Sequence, residues 1–225
     1  RLLSRGLGDV YKRQIMMDNF NLAKNSNLFI ISAPSGAGKT SLVRSICNRC
    51  DFLVPSISFT TRKKRKSEVN NKDYYFISKE VFDRKVNDDE FLECQQVYGN
   101  YYGTGINETS NLLRGGKDVI LEIDYKGMMS VKQIFPQAIS IYIVPPSLES
   151  LRQRLGDRGQ DTDEVINHRM KSSTHELVFS KFADYVIVND NFTKALRELF
   201  YIIITHRINS ICLNEWLDQI VKIHD

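Results

Sequence analysis

Residues 28–41 read LFIISAPSGAGKTS. The stretch begins with a short apolar run, which is typical of a buried parallel strand, and continues into a helical pattern over residues 39–49. The loop between them has the Walker A form, except that Ala33 stands where the first glycine usually does. Gly36 and Gly38 allow backbone N–H groups to surround phosphate oxygens, and the helix N-terminus adds a favourable dipole. The stretch therefore predicts a phosphate-binding loop between a strand and a helix.

Two side chains at the end of this loop have the chemistry needed to handle a nucleoside triphosphate. We expect the Lys39 ammonium to reach the β- and γ-phosphates and the Thr40 hydroxyl to ligand Mg²⁺. The structural alternative is a glycine-containing turn with an incidental lysine, but the strand and helix on either side favour phosphate binding. The expected ATP-binding residues of the loop are Ala33, Pro34, Ser35, Gly36, Ala37, Gly38, Lys39, Thr40 and Ser41.

The rest of the chain alternates between strand and helix patterns, which predicts an α/β fold with a parallel sheet flanked by helices. Residues 58–104 break this rhythm with short alternating segments around one helix, so we expect a small mixed α+β insertion there. The predicted strands are 28–33, 119–124, 139–144 and 185–188, and the predicted helices are 39–49, 78–86, 127–135, 148–155, 165–177 and 193–223.

The composition excludes several broad classes of protein. Of the 225 residues, 42% are hydrophobic and 26% are charged, which is a globular composition rather than a disordered one. No apolar run reaches the ~18 residues that a membrane-spanning helix needs. The net charge is +4, but four cations and one anion lie in residues 1–15, which leaves the remaining chain near +1. We therefore expect neither a membrane protein nor a nucleic-acid-binding protein.

Cysteine usage gives no sign of a metal or disulfide framework. Cys47 and Cys50 form a CxxC pair inside a predicted helix, but no second CxxC or histidine pair exists to complete a zinc site. Reduced thiols in a cytoplasmic protein are the simplest expectation.

The first residues do not resemble a folded element. Residues 1–14 read RLLSRGLGDVYKRQ, contain no apolar signal-peptide segment, and resemble a translated adapter remnant. We expect residues 1–15 to be non-native and the natural chain to start at Met16 or Met17.

A second candidate anion site follows the first predicted helix. Five consecutive cations, residues 62–66, could simply form a solvated face. However, the hydroxyl residues Ser58, Thr60 and Thr61 precede them, and tyrosines follow at 74–75. Hydroxyl groups combined with guanidinium forks suit one bound phosphate monoester.

These segments belong to a set of motifs that together resemble the guanylate kinase family. The resemblance covers nearly the whole chain from about Leu28 to the last predicted helix. Its motifs are APSGAGKTS at 33–41, SxSxTTR at 56–62, EVNNKDYYF at 68–76, GNYYGT at 99–104, LEID at 121–124, RLGDRG at 154–159 and VIVND at 186–190.

The resemblance implies a division of the domain, which would span residues 16–225. A P-loop NTPase-type parallel sheet flanked by helices would form the core, with a nucleoside-monophosphate-binding insertion at 58–104 and a helical lid at 151–170. The core would then comprise residues 26–57, 105–150 and 171–225.

The resemblance also assigns a GMP site to the insertion. Ser58, Arg62, Arg65, Tyr74 and Tyr102 match the positions that hold the GMP phosphate in the family, and Glu93 and Thr104 match those that read guanine. Guanine presents its N1–H and N2–H₂ donors side by side, so one ionised carboxylate accepts both, and a threonine hydroxyl can donate to O6. Adenine has an acceptor at N1 and no N2 amine, which would leave Glu93 unpaired.

Three positions depart from the family pattern. Lys64 stands where proline is common, and Ser67 and Asn71 stand where glycine is common. Asparagine tolerates left-handed backbone better than most residues, so we expect the turn at residues 70–71 to be retained.

Other residues are assigned by resemblance to the metal, the lid and the base of ATP. Asp124 would support the Mg²⁺ shell, while Glu122 would do the same, orient GMP, or only cap a turn. Arg154, Arg158 and Arg169 would form a lid that stabilises the charge developing between two nucleotides, with Gly156 and Gly159 as hinges. Asn189 matches a region that holds adenine. Together with Lys39 and Arg62, the three lid arginines form the expected catalytic set.

The implied activity is transfer of a phosphoryl group from ATP to GMP or dGMP, with Mg²⁺, in the cytoplasm. Two alternatives stay open at this point. Guanylate-kinase-like domains of scaffold proteins bind peptides without catalysis, and the same fold could act on another acceptor, such as a phosphorylated sugar. The sequence does not distinguish a monomer from a homodimer.

Overall fold

The computed structural model describes residues 26–66, 68–97, 99–156 and 163–221. The expected remnant 1–15 and the predicted lid residues Arg158 and Gly159 lie outside these ranges. In chain order the elements are β1 (Leu28–Ser32), α1 (Lys39–Cys47), β2 (Leu53–Pro55), β3 (Phe59–Thr60), β4 (Tyr75–Phe76), α2 (Lys79–Asn87), β5 (Phe91–Val97), β6 (Asn100–Gly105), α3 (Ile106–Arg114), β7 (Asp118–Glu122), α4 (Tyr125–Ile134), β8 (Ile139–Val144), α5 (Leu148–Gly156), α6 (Asp163–Leu177), a 3₁₀ helix (Val178–Phe182), β9 (Tyr185–Val188) and α7 (Phe192–Val221).

The main sheet of the described chain has the strand order β2-β7-β1-β8-β9, and every pairing in it is parallel. Successive strands are joined through helices, as parallel pairing requires. The central strand β1 is buried along its whole length, which explains its continuous apolar sequence. The predicted α/β fold with a helix-flanked parallel sheet is thus confirmed.

Two apolar layers cover the two faces of this sheet. One face packs against α1 and α7, through residues such as Leu42, Ile46 and Leu199. The other face packs against α3 and α4, through residues such as Leu113 and Met128. Both layers are needed because a strand buried on both faces has no side that tolerates water.

A second, smaller sheet of mixed direction has the order β4-β3-β6-β5. Strands β3 and β4 pair in parallel, whereas β6 pairs antiparallel with both β3 and β5. Three stacked or edge-on aromatic rings, Phe59, Phe82 and Phe91, form its separate core with α2. The structure therefore confirms a mixed α+β unit in this part of the chain, while the exact boundaries 58–104 stay a prediction.

Several predicted element boundaries were wrong by a few residues, and some elements were not predicted. Strand β7 ends at Glu122 rather than at residue 124, because Asp124 is the N-cap of α4 and accepts a hydrogen bond from the Gly127 N–H at 2.8 Å. Helix α1 ends at Cys47, so Cys50 lies beyond it rather than inside it. The unpredicted elements are β2, α3 and the 3₁₀ helix.

The helix that opens the predicted lid packs on the phosphate-binding loop. Leu151 and Leu155 of α5 are fully buried and form a cluster with Ile166 of α6. A Cβ atom built on Gly36 would lie 3.0 Å from Leu151 Cδ1 and 3.1 Å from Leu155 Cδ2. This part of the predicted lid 151–170 is therefore in contact with the core, directly above the loop.

Among the described helices, none combines the length and the apolar character required to cross a membrane.

Candidate active site

The loop between β1 and α1 has the backbone conformation that phosphate binding requires. Gly36 and Gly38 adopt φ values of 90° and 93°, in the left-handed region that favours glycine. Ala33, which replaces the first glycine of the motif, is not among the residues with positive φ, as expected for a strand end. The loop leads directly into the N-terminus of α1, where backbone N–H groups and the helix dipole favour an anion.

Lys39 and Thr40 both contact the carboxyl end of strand β7 and the residue that follows it. The Lys39 ammonium donates to the Ile123 carbonyl oxygen at 3.0 Å, and the Thr40 hydroxyl donates to the Glu122 carboxylate. An ammonium has three donors, so this contact fixes the Lys39 head while leaving capacity for phosphate oxygens. The sequence predicted both residues at the loop, but not that Glu122 would be the carboxylate paired with the Thr40 hydroxyl.

A cavity of about 770 Å³ opens beside this loop. It is large enough for a nucleotide, since ligand pockets are typically ~300–1,000 Å³. All the predicted ATP-binding residues of the loop line this cavity except Ala37, which is fully buried. The lining comprises Ala33, Pro34, Ser35, Gly36, Gly38, Lys39, Thr40, Ser41, Gln96, Val97, Glu122, Asp124, Tyr125, Lys126, Lys171, Ser172, His175 and Glu176.

Part of the cavity wall is formed by residues of α6 that sequence reasoning missed. Helix α6 contributes His175 and Glu176, and Tyr142, buried in the sheet, fixes this helix by donating to the Glu176 carbonyl at 2.8 Å. Burial raises the pKa of the Glu176 carboxyl, and the Asp124 charge raises it further, while Lys39 lowers it. No local pattern marks these residues, because α6 reaches the loop only through tertiary packing.

Oxygen ligands suitable for Mg²⁺ converge at this point of the cavity. The Thr40 hydroxyl and the Glu122 carboxylate are in contact, and Asp124 lines the same wall. Within the described residues, no group of three or more His, Cys, Asp or Glu side chains could hold a metal ion alone. Such a sparse oxygen donor set fits Mg²⁺, which usually binds through one or two carboxylates, several waters and the phosphates of a substrate.

The predicted guanine-reading pair lies on the smaller sheet. Glu93 on β5 and Thr104 on β6 are directly opposite one another across the antiparallel ladder. Both are buried, and the Thr104 hydroxyl donates to Glu93 Oε1 at 2.7 Å. We expected this hydroxyl to donate to guanine O6, but in the structure its single hydrogen points to Glu93, so such a contact would require the hydroxyl to rotate.

Glu93 also touches the main sheet through helix α4. A Cβ atom built on Gly127 would lie only 3.0 Å from Glu93 Oε2, so glycine is what allows this approach. The Gly127 N–H is the group that Asp124 caps, and Asp124 lines the phosphate-loop cavity. The predicted guanine-reading pair and the wall of the phosphate-loop cavity are therefore separated by one turn of α4.

The charge state of Glu93 differs from the one assumed from sequence. Burial raises the pKa of its carboxyl to about 7, and the negative charge of Asp124 acts in the same direction. The Thr104 hydrogen bond and the positive charge of Lys39 oppose this rise. At neutral pH the ligand-free carboxyl is thus divided between its protonated and ionised forms, rather than fully ionised.

Three of the predicted GMP-phosphate residues, Arg62, Tyr74 and Tyr102, form a cluster on the smaller sheet, with Tyr102 on β6 two positions before Thr104. Arg62 lies against the rings of Tyr74 and Phe76, with its guanidinium carbon 5.4 and 5.6 Å from their centroids. Tyr74 and Tyr102 pack edge to face with centroids 6.0 Å apart. The Glu122 charge contributes to raising the pKa of the Tyr74 hydroxyl, after burial, so this cluster faces the end of β7.

The other two residues of this predicted set are placed differently. Ser58 is half-buried, and its carbonyl accepts from the Tyr75 N–H at 2.9 Å, which fixes it beside the β3–β4 ladder. The Arg65 side chain is exposed. Asn71, where glycine is common in the family, has φ 64°, so the left-handed turn predicted for this departure is present.

Of the predicted lid arginines, Arg154 is linked to the loop through Asn189. Arg154 Nη2 donates to the Asn189 carbonyl at 2.9 Å, and the Asn189 side-chain amide donates to the Ala37 carbonyl at 2.7 Å. Asn189 is nearly fully buried, so in this structure its amide supports the phosphate loop, and contact with adenine stays a prediction. Arg169 is half-buried on α6, and neither it nor Arg154 is among the described residues that line the cavity.

The fold and this site together define a P-loop protein with a nucleotide-sized cavity beside the loop and a smaller mixed sheet. Comparisons with known proteins make the class more specific. A family profile described as guanylate kinase matches residues 25–206. The structure is similar to the crystal structure of guanylate kinase from Anaplasma phagocytophilum, with 28% identity, a TM-score of 0.68, and coverage of 88% of this chain and 96% of that one.

Curated relatives agree with the family profile. The chain is 45% identical over 172 residues to a guanylate kinase from Thiobacillus denitrificans, covering 76% of this chain and 82% of the relative. It is 42% identical over 199 residues to a guanylate kinase from Hydrogenovibrio crunogenus, covering 88% and 96% of the two chains. The chain belongs to the guanylate kinase family.

Proposed function

We propose that this chain transfers the γ-phosphoryl group of ATP to GMP or dGMP in the presence of Mg²⁺, giving ADP and GDP or dGDP. Such a reaction would serve purine nucleotide metabolism and recycle GMP. The observation that carries the proposal is the buried Glu93–Thr104 pair, one helix turn away from the phosphate-loop cavity. A buried carboxylate paired with a hydroxyl suits the hydrogen-bonding edge of guanine, whereas the cavity suits a triphosphate.

The chemistry needs no covalent intermediate with the protein. An oxygen of the GMP phosphate attacks the γ-phosphorus in line, a new P–O bond forms, and the bond to the β-phosphate oxygen breaks to release ADP. The protein supplies positions and charges rather than a nucleophile. Lys39 and the loop N–H groups hold the phosphates of ATP, while Arg62, Arg65 and the two tyrosines hold the phosphate of GMP.

The charges on the two sides of the cleft have complementary tasks. Arg62 and Arg65 offset the charge of the acceptor phosphate, which would otherwise repel ATP. Lys39, with Arg154, Arg158 and Arg169 of the lid, stabilises charge on the transferring group. Thr40, Glu122 and Asp124 would hold Mg²⁺, which would supply positive charge to neutralise the phosphates. These residue roles are proposals, as is a cytoplasmic location.

An ADP-release assay with a panel of acceptors tests the proposal. With ATP and Mg²⁺ present, we expect turnover with GMP and dGMP, and little or none with AMP, UMP or ribose phosphates. Turnover with a sugar phosphate instead of GMP would show another acceptor. Absence of turnover with every acceptor, in protein that binds phosphopeptides, would favour a protein-binding module.

Removal of the phosphate-loop lysine is the matching test on the protein side. Lys39→Ala should lower kcat by about 10³-fold, because it removes a preorganised charge from the transferring group. The control is Lys117→Ala, since Lys117 bonds the Asp51 carbonyl on an exposed surface of the core and should leave turnover unchanged. A Lys39→Ala protein that turned over at the parental rate would contradict the proposed role of the loop.

A further inference from the structure

The Glu68 carboxylate contacts two residues of the predicted GMP-phosphate set, Arg62 and Arg65. Its two carboxylate oxygens accept from both ends of the Arg62 guanidinium, with Nη1–Oε2 at 3.0 Å and Nη2–Oε1 at 2.7 Å. Its Oε2 also accepts from the Arg65 backbone N–H at 2.8 Å. One carboxylate therefore holds both arginines that are expected to receive the GMP phosphate.

The environment makes this ion pair stronger than a typical surface pair. The Arg62 and Glu68 side chains are only 16% and 13% exposed, so water screens their attraction little, and the pairing is bidentate. The hydrogen bond from Arg62 holds the pKa of the Glu68 carboxyl below its usual range, so this carboxylate stays charged at neutral pH.

The remaining surroundings of Arg62 restrict its orientation further. Its guanidinium faces lie near the rings of Tyr74 and Phe76, and Nη1 also donates to the Lys63 carbonyl at 3.0 Å. The bonds to Lys63 and Glu68 use three of the five N–H donors of the guanidinium, which leaves the second Nη2 hydrogen and the Nε hydrogen for other acceptors. After Glu68, Tyr102 also contributes to raising the pKa of this guanidinium.

We propose that Glu68 is a positioning residue for GMP: its carboxylate fixes the Arg62 guanidinium and the Arg65 backbone before GMP arrives, and it stays on Arg62 while the remaining donors receive the phosphate. This inference rests on the proposed function. The alternative is that Glu68 occupies the phosphate position itself and is displaced by GMP. The two arrangements predict opposite effects of removing the carboxylate on GMP affinity.

The test measures GMP binding by calorimetry without ATP, together with KM and kcat for both substrates. Glu68→Ala should raise the Kd and KM for GMP about tenfold, because Arg62 loses its fixed orientation, while KM for ATP changes less than about twofold. Glu68→Asp keeps the charge and should recover part of the loss, whereas Glu68→Gln, which cannot accept with both atoms, should recover less.

A double-mutant cycle shows whether Glu68 acts through Arg62. In an Arg62→Ala background, Glu68→Ala should weaken GMP binding no further, because the group it positions is gone. The control is Asp73→Ala. Asp73 caps the same loop by accepting from the Val69 N–H at 2.7 Å, so this variant disturbs the loop and leaves the Arg62 contact in place. It should change the Kd for GMP less than about threefold.

Several outcomes overturn the inference. Tighter GMP binding in Glu68→Ala or Glu68→Gln would show that the carboxylate competes with the phosphate. An equal loss in the Arg62→Ala background, or an equal loss in Asp73→Ala, would show a general effect on the loop. If the parental protein neither bound nor phosphorylated GMP, the proposed function would fail as well, whereas normal parental turnover with unaffected Glu68 variants would refute this inference alone. Should Glu68→Ala not fold, the Asp and Gln variants carry the same comparison.

Discussion

At the scale of single residues, burial and the proposed function oppose one another most directly at Glu93. A carboxylate that accepts from guanine must be ionised, yet its position between Thr104 and Gly127 excludes the water that would stabilise its charge. The pKa of about 7 expresses this conflict. Guanine offers two N–H donors to the ionised form, so GMP replaces the missing water and should favour deprotonation.

The affinity for GMP should consequently depend on pH around neutrality. Below pH 7 the Glu93 carboxyl must lose a proton before it can accept from guanine, so the Kd for GMP should rise about tenfold for each pH unit below the pKa. Above pH 7 the affinity should level off. The measurement is calorimetric GMP binding between pH 5.5 and 8.5, on the parental protein and on Glu93→Gln.

The Gln variant also isolates the effect from that of GMP itself. The second ionisation of a phosphate monoester lies near pH ~6 and contributes to the pH dependence of both proteins. Glu93→Gln should keep that contribution, lose the part near 7, and bind GMP at pH 8 at least about tenfold more weakly. Identical pH profiles for the two proteins would remove Glu93 from guanine recognition.

At the scale of elements, the sequence was most informative where one segment carries its own signal. The apolar run predicted strand β1, and the glycines that follow it predicted the conformation of the phosphate-binding loop, because burial and positive φ act locally. In contrast, β2 is three residues long and ends in Pro55, too short for periodicity to reveal. Helix α3, with buried Ile106 and Leu113 on one face, shows that a short helix inside a turn-rich stretch is easily missed.

The site was less predictable than the fold for a related reason. The resemblance placed residues in two pockets, but side-chain partners depend on contacts between distant segments. Examples are Glu122 on Thr40, Asn189 on the Ala37 carbonyl, and the wall of α6 opposite the loop. None of these pairs is encoded by spacing along the chain.

The close contact between Asn189 and the loop makes Gly38 indispensable. A Cβ atom at Gly38 would lie 2.5 Å from Asn189 Nδ2, and the φ of 93° already disfavours any other residue. Gly38→Ala should therefore lower the free energy of unfolding by more than the ~1–2 kcal/mol expected for a left-handed alanine, and should abolish ATP binding. Urea denaturation and nucleotide titration measure the two effects.

Gly116 supplies the matched control for this substitution. It has φ 76°, and a Cβ atom there would meet nothing within 4 Å. Gly116→Ala should lower the free energy of unfolding by only the ~1–2 kcal/mol that a left-handed alanine costs, and it should bind ATP normally. Equal destabilisation of the two variants would mean that the Asn189 contact adds nothing.

At the scale of the whole molecule, the smaller sheet meets the main one where β5 packs on α4. Leu92 of β5 belongs to the same apolar cluster as Met128 of α4, and the neighbouring Glu93 carboxylate lies close to Gly127. Charges beside the phosphate loop act on Glu93 across this contact: Asp124 raises the pKa of its carboxyl and Lys39 lowers it. The proposed GMP and ATP sites would thus be coupled electrostatically before either substrate is bound.

This coupling can be measured as a displacement of the pH midpoint for GMP binding. Lys39 lowers the pKa of Glu93, so Lys39→Met should raise that pKa and move the midpoint to higher pH. Asp124 raises the pKa of Glu93, so Asp124→Asn should lower that pKa and move the midpoint to lower pH. Lys126 lines the same cavity and acts on Glu176, which makes Lys126→Met a control of equal charge change with a smaller expected effect. Because ATP is absent from the titration, loss of catalysis in Lys39→Met does not obscure the result. If Lys39→Met and Lys126→Met moved the midpoint equally, the effect would reflect net charge alone. Opposite displacements for Lys39→Met and Asp124→Asn, with a smaller one for Lys126→Met, would show that Glu93 responds to individual charges beside the phosphate loop.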